Sequence, residues 1–460
     1  MRIIAKIILK LLLFFIGTTA QATTAPIKVT QNGIAHNCVF HISKPGVYHV
    51  MESIKFGAMP FIIDANDVVF DLQGHTIDFS RENAYGISFM AGRKNISIKN
   101  GTIRHASGVE ALSLTQNTNV TLSKLEIATA GTTALLVHSC SDINIDNLTI
   151  SGTMLQTGVQ IEQSASVFID NCTMQNIFAR SFRGFSIQQS QNVLCKHNII
   201  KNVQAVTLFR GFTVQGSSRI ILSKNLITMN TAHICIGMSL SGNRHNKIVH
   251  NEISMNTTKI DQKHLRSGID FTEELRSPNY SIESTAKRSD EFSDLEELVL
   301  DAGNGSQDTS RNAYKLPGGT LIGINVGSSE RFAAISNNTI KDNIGSYASY
   351  GIRINGYLPS STEKTRTLLF EKNEIGSNIG AKFQYGLYDG DEPSNNGYIQ
   401  NKILFHGKSL DGSSMPSSPE CRANYFMRKN CQITNLIKEA PVDDINFFLD
   451  DLNNKNLSIY

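Results

Sequence analysis

The chain has 460 residues, is 40% hydrophobic and 18% charged, and contains no tryptophan, which is enough chain for one large or two ordinary domains with an ample core. Its formal charge of +3 includes Arg2, Lys6 and Lys10, with no acidic residue before Thr23, so the remainder is near neutral and offers no electrostatic footprint for nucleic acid or anionic lipid. Plentiful Gly, Asn, Ser and Ile favour strands and turns over helices.

The three basic residues precede the apolar run Leu11 to Ile16, and Ala20-Gln21-Ala22 supplies a small-x-small cleavage pattern. This predicts a signal peptide over 1–22 and export of a mature chain to the periplasm or the medium. Lys10 interrupts the apolar stretch and leaves it too short to span a bilayer, and no later segment is long and apolar enough to do so. Residues 23–58 lack the pattern that follows and read as an N-terminal cap, with "PGVYHV" (45–50) pairing to the first coil as a strand.

From residue 59 a repeat governs the chain. Gly or Ala followed by apolar-x-apolar recurs as "GISF" (86–89), "ALSL" (111–114), "ALLV" (134–137), "GVQI" (158–161), "GFSI" (184–187), "GFTV" (211–214), "GMSL" (237–240), "GIDF" (268–271), "GINV" (323–326), "GIRI" (351–354) and "GLYD" (386–389). Between Gly86 and Gly237 the steps are 25, 23, 24, 26, 27 and 26 residues. A unit this short cannot bury its own apolar face, but stacked units share a continuous core.

About fourteen residues after each start comes a phrase such as "ISIKNGTI" (96–103), "VFIDNCTM" (167–174) or "IILSKNLI" (220–227). Strands this short, with no helical period between them, must be parallel and wound as a coil. Aligning these second phrases puts His75, Gly101, Leu125, Leu148, Cys172, Asn198, Asn225, Asn251, Asn338, Asn373 and Asn401 at one turn position. Asn tolerates left-handed backbone and hydrogen-bonds along a stack of its own kind, so the later members predict an asparagine ladder.

These phrases, together with "VVFDLQGHTIDFS" (68–80), resemble the right-handed parallel β-helix of the pectin-lyase-like superfamily and its carbohydrate-binding and sugar-hydrolase type repeats. The resemblance implies an all-β solenoid of about 11–12 coils over 59–408, with a C-terminal cap or tail over 409–460. Helical spacing of Val442, Ile445, Phe448 and Leu449 suits such a cap. Cys421 and Cys431 are the expected disulfide, whereas Cys140, Cys172, Cys195 and Cys235 lie in strand-like runs and read as small core residues.

Breaks in the rhythm mark the candidate site. The step from Gly268 to Gly323 is 55 residues, which places an insertion at 272–317, and a shorter excess, "LPSSTEKTR" (358–366), follows Gly351. The outward residue of each first phrase is small or neutral from Ser88 to Ser239, then becomes Asp270, Asn325, Arg353 and Tyr388. Coils stack about 4.8 Å apart, so these side chains are expected within reach of one another. Asp270 and Arg353 are the candidate catalytic pair, and Asn325, Tyr388, Glu273 and Asp389 the candidate substrate contacts.

The residue types suit polysaccharide chemistry. Elimination or epimerisation of a uronic acid needs its carboxylate neutralised and a neighbouring proton removed, whereas hydrolysis needs two carboxylates flanking the glycosidic bond. "GIRIN" (351–355) is similar to a polygalacturonase segment at Arg353, with Asn355 where those enzymes have lysine. "SGIDFTEE" (267–274) is similar to an alginate-epimerase segment at Gly268 and Asp270 but lacks its proline and histidine. A polysaccharide is therefore the expected partner, handled by a lyase, epimerase or hydrolase, with a non-catalytic envelope or adhesion protein as the alternative. No metal centre is expected; "DGDEP" (389–393) has calcium-like carboxylate spacing but reads as a solvated turn. The scattered His and Met disfavour the metal-delivery role of copper-associated relatives.

Overall fold

The structure is a computed structural model that describes residues 25–31, 39–56, 60–79, 86–105, 110–258, 319–327, 329–346, 348–355, 367–376, 378–380, 383–389, 397–399 and 401–404. The expected signal peptide, insertion and C-terminal cap, with Asp270, Glu273, Cys421 and Cys431, lie outside these residues. Within them the chain is all-β: thirty-two strands join one continuous sheet wound into a parallel solenoid, with no α-helix.

Alternation inside each short strand creates the coil. Thr157–Glu162 buries Val159 and Ile161 while Gln160 and Glu162 face outward, and the next strands, Thr173–Gln188 and Ile199–Gln215, repeat the pattern in parallel register. The inward side chains form one core cluster from Val29 to Leu387. Phe185 and Phe212 stack within it at 4.7 Å between ring centroids.

The stack includes residues preceding 59: Phe40–Ile42 pairs with Phe61–Ile63, and Gly46–Val50 with Val68–Asp71, so "PGVYHV" is a strand of the coil. Between Gly86 and Gly386 the coil makes about nine turns, and the rungs at Phe40–Ile42 and Phe61–Ile63 precede them. Strand Ile234–Ser241 pairs directly with Thr320–Val326.

Column-forming residues hold the register. The glycine that opens each first phrase lies where the next coil's backbone comes closest. A Cβ on Gly184, Gly211, Gly237, Gly323 or Gly351 would lie 2.5–2.6 Å from the carbonyl oxygen of the glycine above it.

The asparagine ladder forms as expected. Asn225, Asn251, Asn338 and Asn373 each present Oδ1 to the backbone N–H and side-chain Nδ2 of the preceding asparagine, from Asn198 onward, and Asn401 completes the run. The left-handed backbone belongs to the residue before each ladder position, namely Asn171, His197, Lys224, His250, Asn337 and Lys372, and not to the ladder residue itself. His75, at the head of the column, follows the left-handed Gln73 and Gly74 and accepts a backbone hydrogen bond from Thr102 at 3.1 Å.

Two further columns run beside this ladder. Asn230, Asn256, Asn343 and Asn378 form a second asparagine run five residues downstream. Ser164, Ser190, Ser217 and Asn243 form a third at the turn after the first-phrase strand, and its last amide donates to the fully buried carboxylate of Glu330 at 2.8 Å.

Cys140, Cys172, Cys195 and Cys235 are buried and unpaired, as their strand positions suggested. Burial raises all four thiol pKa values, that of Cys172 to about 12. Raised folded-state values mean that the stabilising contribution is fully present below the unfolded thiol pKa, about 8.5, and declines as pH climbs above it. Cys172, Cys195 and Cys235 are therefore expected to resist iodoacetamide at pH 8 and to react only after unfolding, as mass spectrometry of the alkylated chain would show. Rapid labelling of native Cys195 would contradict this burial.

Candidate functional site

The face carrying the first phrases presents three outward rows, each fixed by parallel pairing. The middle row runs Ser113, Leu136, Gln160, Ser186, Thr213, Ser239, Asn325, Arg353, with Tyr388 next in backbone register. Asn325, Arg353 and Tyr388 thus occupy successive rungs, as the sequence register predicts. Ser239 pairs directly with Asn325, and Asp270 lies outside the described residues. Asp389 lies on the Tyr388 strand, in register with Ile354.

Asn325 places Oδ1 out of contact with water and without a hydrogen-bond partner, and Thr213 Oγ1, two rungs away in the same row, is in the same condition. Unsatisfied buried oxygens cost about 1–3 kcal/mol each, so their presence in one row calls for an explanation such as a ligand or water. Arg353 is half-buried, and its guanidinium carbon lies 5.5 Å from the centroid of the Tyr350 ring. A cation held over a phenol face in this way is attracted by the ring quadrupole and loses part of its rotamer freedom.

The second row holds polar residues: Thr115, His138, Glu162, Gln188, Gln215 and Ser241. Gln160 donates to Glu162 at 2.6 Å, His138 lies 3.3 Å from the same carboxylate, and Gln188 donates to Ser186. These bonds hold the N-terminal half of the face in a fixed polar arrangement.

The third row begins with Thr157, Arg183 and Arg210 and continues as Ile236, Ile322, Tyr350 and Tyr385. Ile236 and Ile322, with Leu208 and Ile234, form an apolar cluster separate from the core, and Tyr350 packs against it. Arg183 and Arg210 stand on adjacent rungs. Burial, and then the Arg183 charge, lower the Arg210 pKa to about 10, and burial also lowers that of Arg183. Both remain cations at neutral pH.

The expected site was read from the middle row alone, so Arg183, Arg210 and Tyr350 were missed. A signal for the first two was present: the tetrapeptide "FRGF" occurs at 182–185 and again at 209–212, one coil apart. It could have been read as two stacked arginines. Among the described residues, no group of three or more His, Cys, Asp or Glu side chains is placed to hold a metal ion.

A family match supports the architecture. Residues 85–252 and 133–289 match the family model described as the right handed beta helix region. No curated protein matches the sequence. Among solved structures, the catalytic domain of a GH87 α-1,3-glucanase in complex with nigerose has a TM-score of 0.37 at 14% identity, covering 80% of this chain and 64% of that one. This chain therefore spans less than two thirds of the glucanase domain. The A-module of mannuronan C-5 epimerase AlgE6 from Azotobacter vinelandii gives a TM-score of 0.40 at 12% identity, covering 79% and 91%. PfbA, a surface adhesin of Streptococcus pneumoniae, gives 0.35 at 10% identity, covering 82% and 86%. At these values no residue role is transferred from any of them. The described residues form a continuous parallel β-solenoid, and residues 85–289 match the right handed beta helix region model.

Proposed function

We propose that this β-helix is exported and binds an acidic polysaccharide along the outward face that carries Asn325 and Arg353. The observation behind this reading is the register pair itself. An amide with an unsatisfied buried oxygen stands one rung from a guanidinium braced on Tyr350, toward the C-terminal end of a row whose earlier members are mostly small and polar. Arg353 supplies the counter-charge for a sugar carboxylate, and Asn325 a fixed hydrogen-bonding group beside it. Arg183 and Arg210 add positive charge further along the same face.

A processing reading assigns proton transfer to Asp270 and carboxylate neutralisation to Arg353, with Asn325, Tyr388, Glu273 and Asp389 as substrate contacts. Calcium is the cation that the carboxylates near Asp389 would suit. The alternative is an envelope or adhesion protein that binds without chemistry. A glycan array on the mature chain, whose N-terminus is expected near Thr23, followed by product analysis on the best hit, separates the three outcomes. New reducing ends, unsaturated sugars or inverted residues that vanish in Asp270→Asn support processing. Binding without products supports the adhesion reading. Failure to retain any uronate-containing glycan overturns both.

A further inference from the structure

A second groove lies at a different corner of the coil, where each turn passes from the asparagine-ladder side back toward the first-phrase strands. Asn176, Ile177, Phe178, Asn202, Gln204, Met229 and Thr231 line it, and its volume is about 400 Å³. Phe178, Gln204 and Thr231 occupy successive rungs of its floor, while Asn176, Asn202 and Met229 are successive turn residues with left-handed backbone.

The lining chemistry is selective. It contains three amides, a hydroxyl, a phenyl ring and a thioether, and no ionisable side chain. A charged ligand would find no counter-charge here, and a wholly apolar one would leave the amides without partners. A molecule that alternates C–H faces with hydroxyl groups satisfies both kinds of surface. The rungs are spaced by about 4.8 Å, close to the length of one hexose unit, so a chain lying along the solenoid axis would meet an equivalent set of groups at each step.

The apolar residues here run against the local pattern. Among the described residues, every left-handed position outside glycine is polar or charged except Met154, Met229 and Met255: Met229 lines the groove, Met255 holds the equivalent turn position one rung on, and the Met154 backbone N–H donates to Phe178 O. All three are exposed, at 54%, 47% and 52%, with Phe178 at 37%. Left-handed backbone is unfavourable for bulky side chains, so an apolar one placed there and left in water calls for a functional reason. The groove is also rigid. Asn230, between Met229 and Thr231, is fully buried in the second asparagine column and accepts from the Val203 backbone N–H at 3.1 Å.

We infer that this corner is a second glycan-binding site, specific for a neutral oligosaccharide, with Phe178 and Met229 as stacking platforms and Asn176, Asn202 and Gln204 as the hydroxyl-binding groups. It is separate from the Arg353 face and stands whether or not that face binds acidic sugars.

The test is a titration of the full mature chain, carrying ¹³C-methyl methionine, with short gluco-, manno- and galacto-configured oligosaccharides and with a uronate oligosaccharide as charged control. At least one neutral probe is expected to shift the Met229 methyl resonance saturably. Phe178→Ala and Asn202→Ala are expected to weaken that binding by roughly tenfold or more, and Arg353→Ala to leave it unchanged. Both groove residues are exposed, so their replacement leaves the core intact. No shift with any neutral probe, an equal shift with the uronate, or unchanged affinity in Phe178→Ala would overturn the assignment. Sedimentation showing self-association that Met229→Ser abolishes, without any sugar-induced shift, would assign the corner to a second copy of the chain and overturn it equally. The Arg353 face is read from uronate binding in the same titrations, so failure of one site is distinguishable from failure of the other.

Discussion

Replacing Gly211 with alanine is expected to destabilise the protein by about 3 kcal/mol, the upper end of ordinary overpacking. The added Cβ would lie 2.5 Å from the carbonyl oxygen of Gly237 and 2.7 Å from Ile227 Cδ1. The isoleucine can rotate away. The carbonyl cannot, because the rung above is tied by parallel pairing on both sides. Relief would require separating two coils, and the neighbouring glycines make equally close approaches, so the disturbance would spread along the column. Gly92→Ala is the control: its Cβ would enter open space, so its cost is confined to a left-handed φ of +78°, about 1–2 kcal/mol. Denaturant midpoints measure both, and equal losses at the two positions would refute the close-approach explanation.

Asn251→Ala is expected to cost more, about 3–5 kcal/mol. The Asn251 Oδ1 accepts from the backbone N–H and the side-chain Nδ2 of Asn225, and its own Nδ2 donates to Leu222 O and to Asn338 Oδ1. All three asparagines are at most 1% exposed, so water cannot replace the lost partner. Each orphaned buried group carries its desolvation penalty of about 1–3 kcal/mol. Because each coil touches only its neighbours, the break also weakens coupling between the two halves of the solenoid. Asn202→Ala, on an exposed turn, is expected to cost only about 1 kcal/mol, the loss of an asparagine's tolerance for its left-handed φ of 53°. A loss at Asn251 no larger than at Asn202 would show that the ladder contributes little.

The sequence made these columns legible to different degrees, for physical reasons. The fold could be read because a coil of this length must repeat its inward and outward residues in phase, and a phase shared by many phrases is hard to imitate by accident. The first asparagine ladder followed from the same alignment. The second was equally visible, since Asn225, Asn251, Asn338 and Asn373 are each followed five residues later by another asparagine. It was missed because only one turn per coil was aligned.

The candidate site was harder to read, because a phrase's spacing does not name its strand partner. "GIDF" has the spacing of a first phrase, but spacing does not reveal which strand a chain pairs with after a long excursion. Backbone pairing settles that: Ser239 meets Asn325, and the register of Asn325 with Arg353 and Tyr388 survives without the intervening rung. Arg183 and Arg210 escaped because they precede the glycine that opens the phrase, and alternation was followed only from that glycine onward.

The most direct test of acidic-polysaccharide binding on the Asn325–Arg353 face is isothermal titration calorimetry of a uronate oligosaccharide with the wild-type chain and with Arg353→Ala and Asn325→Ala. The expected result is measurable binding by wild type, weakened by roughly tenfold or more in Arg353→Ala and less in Asn325→Ala, with thermal unfolding of all three nearly coincident. Equal affinity of wild type and Arg353→Ala for that oligosaccharide would contradict the assignment.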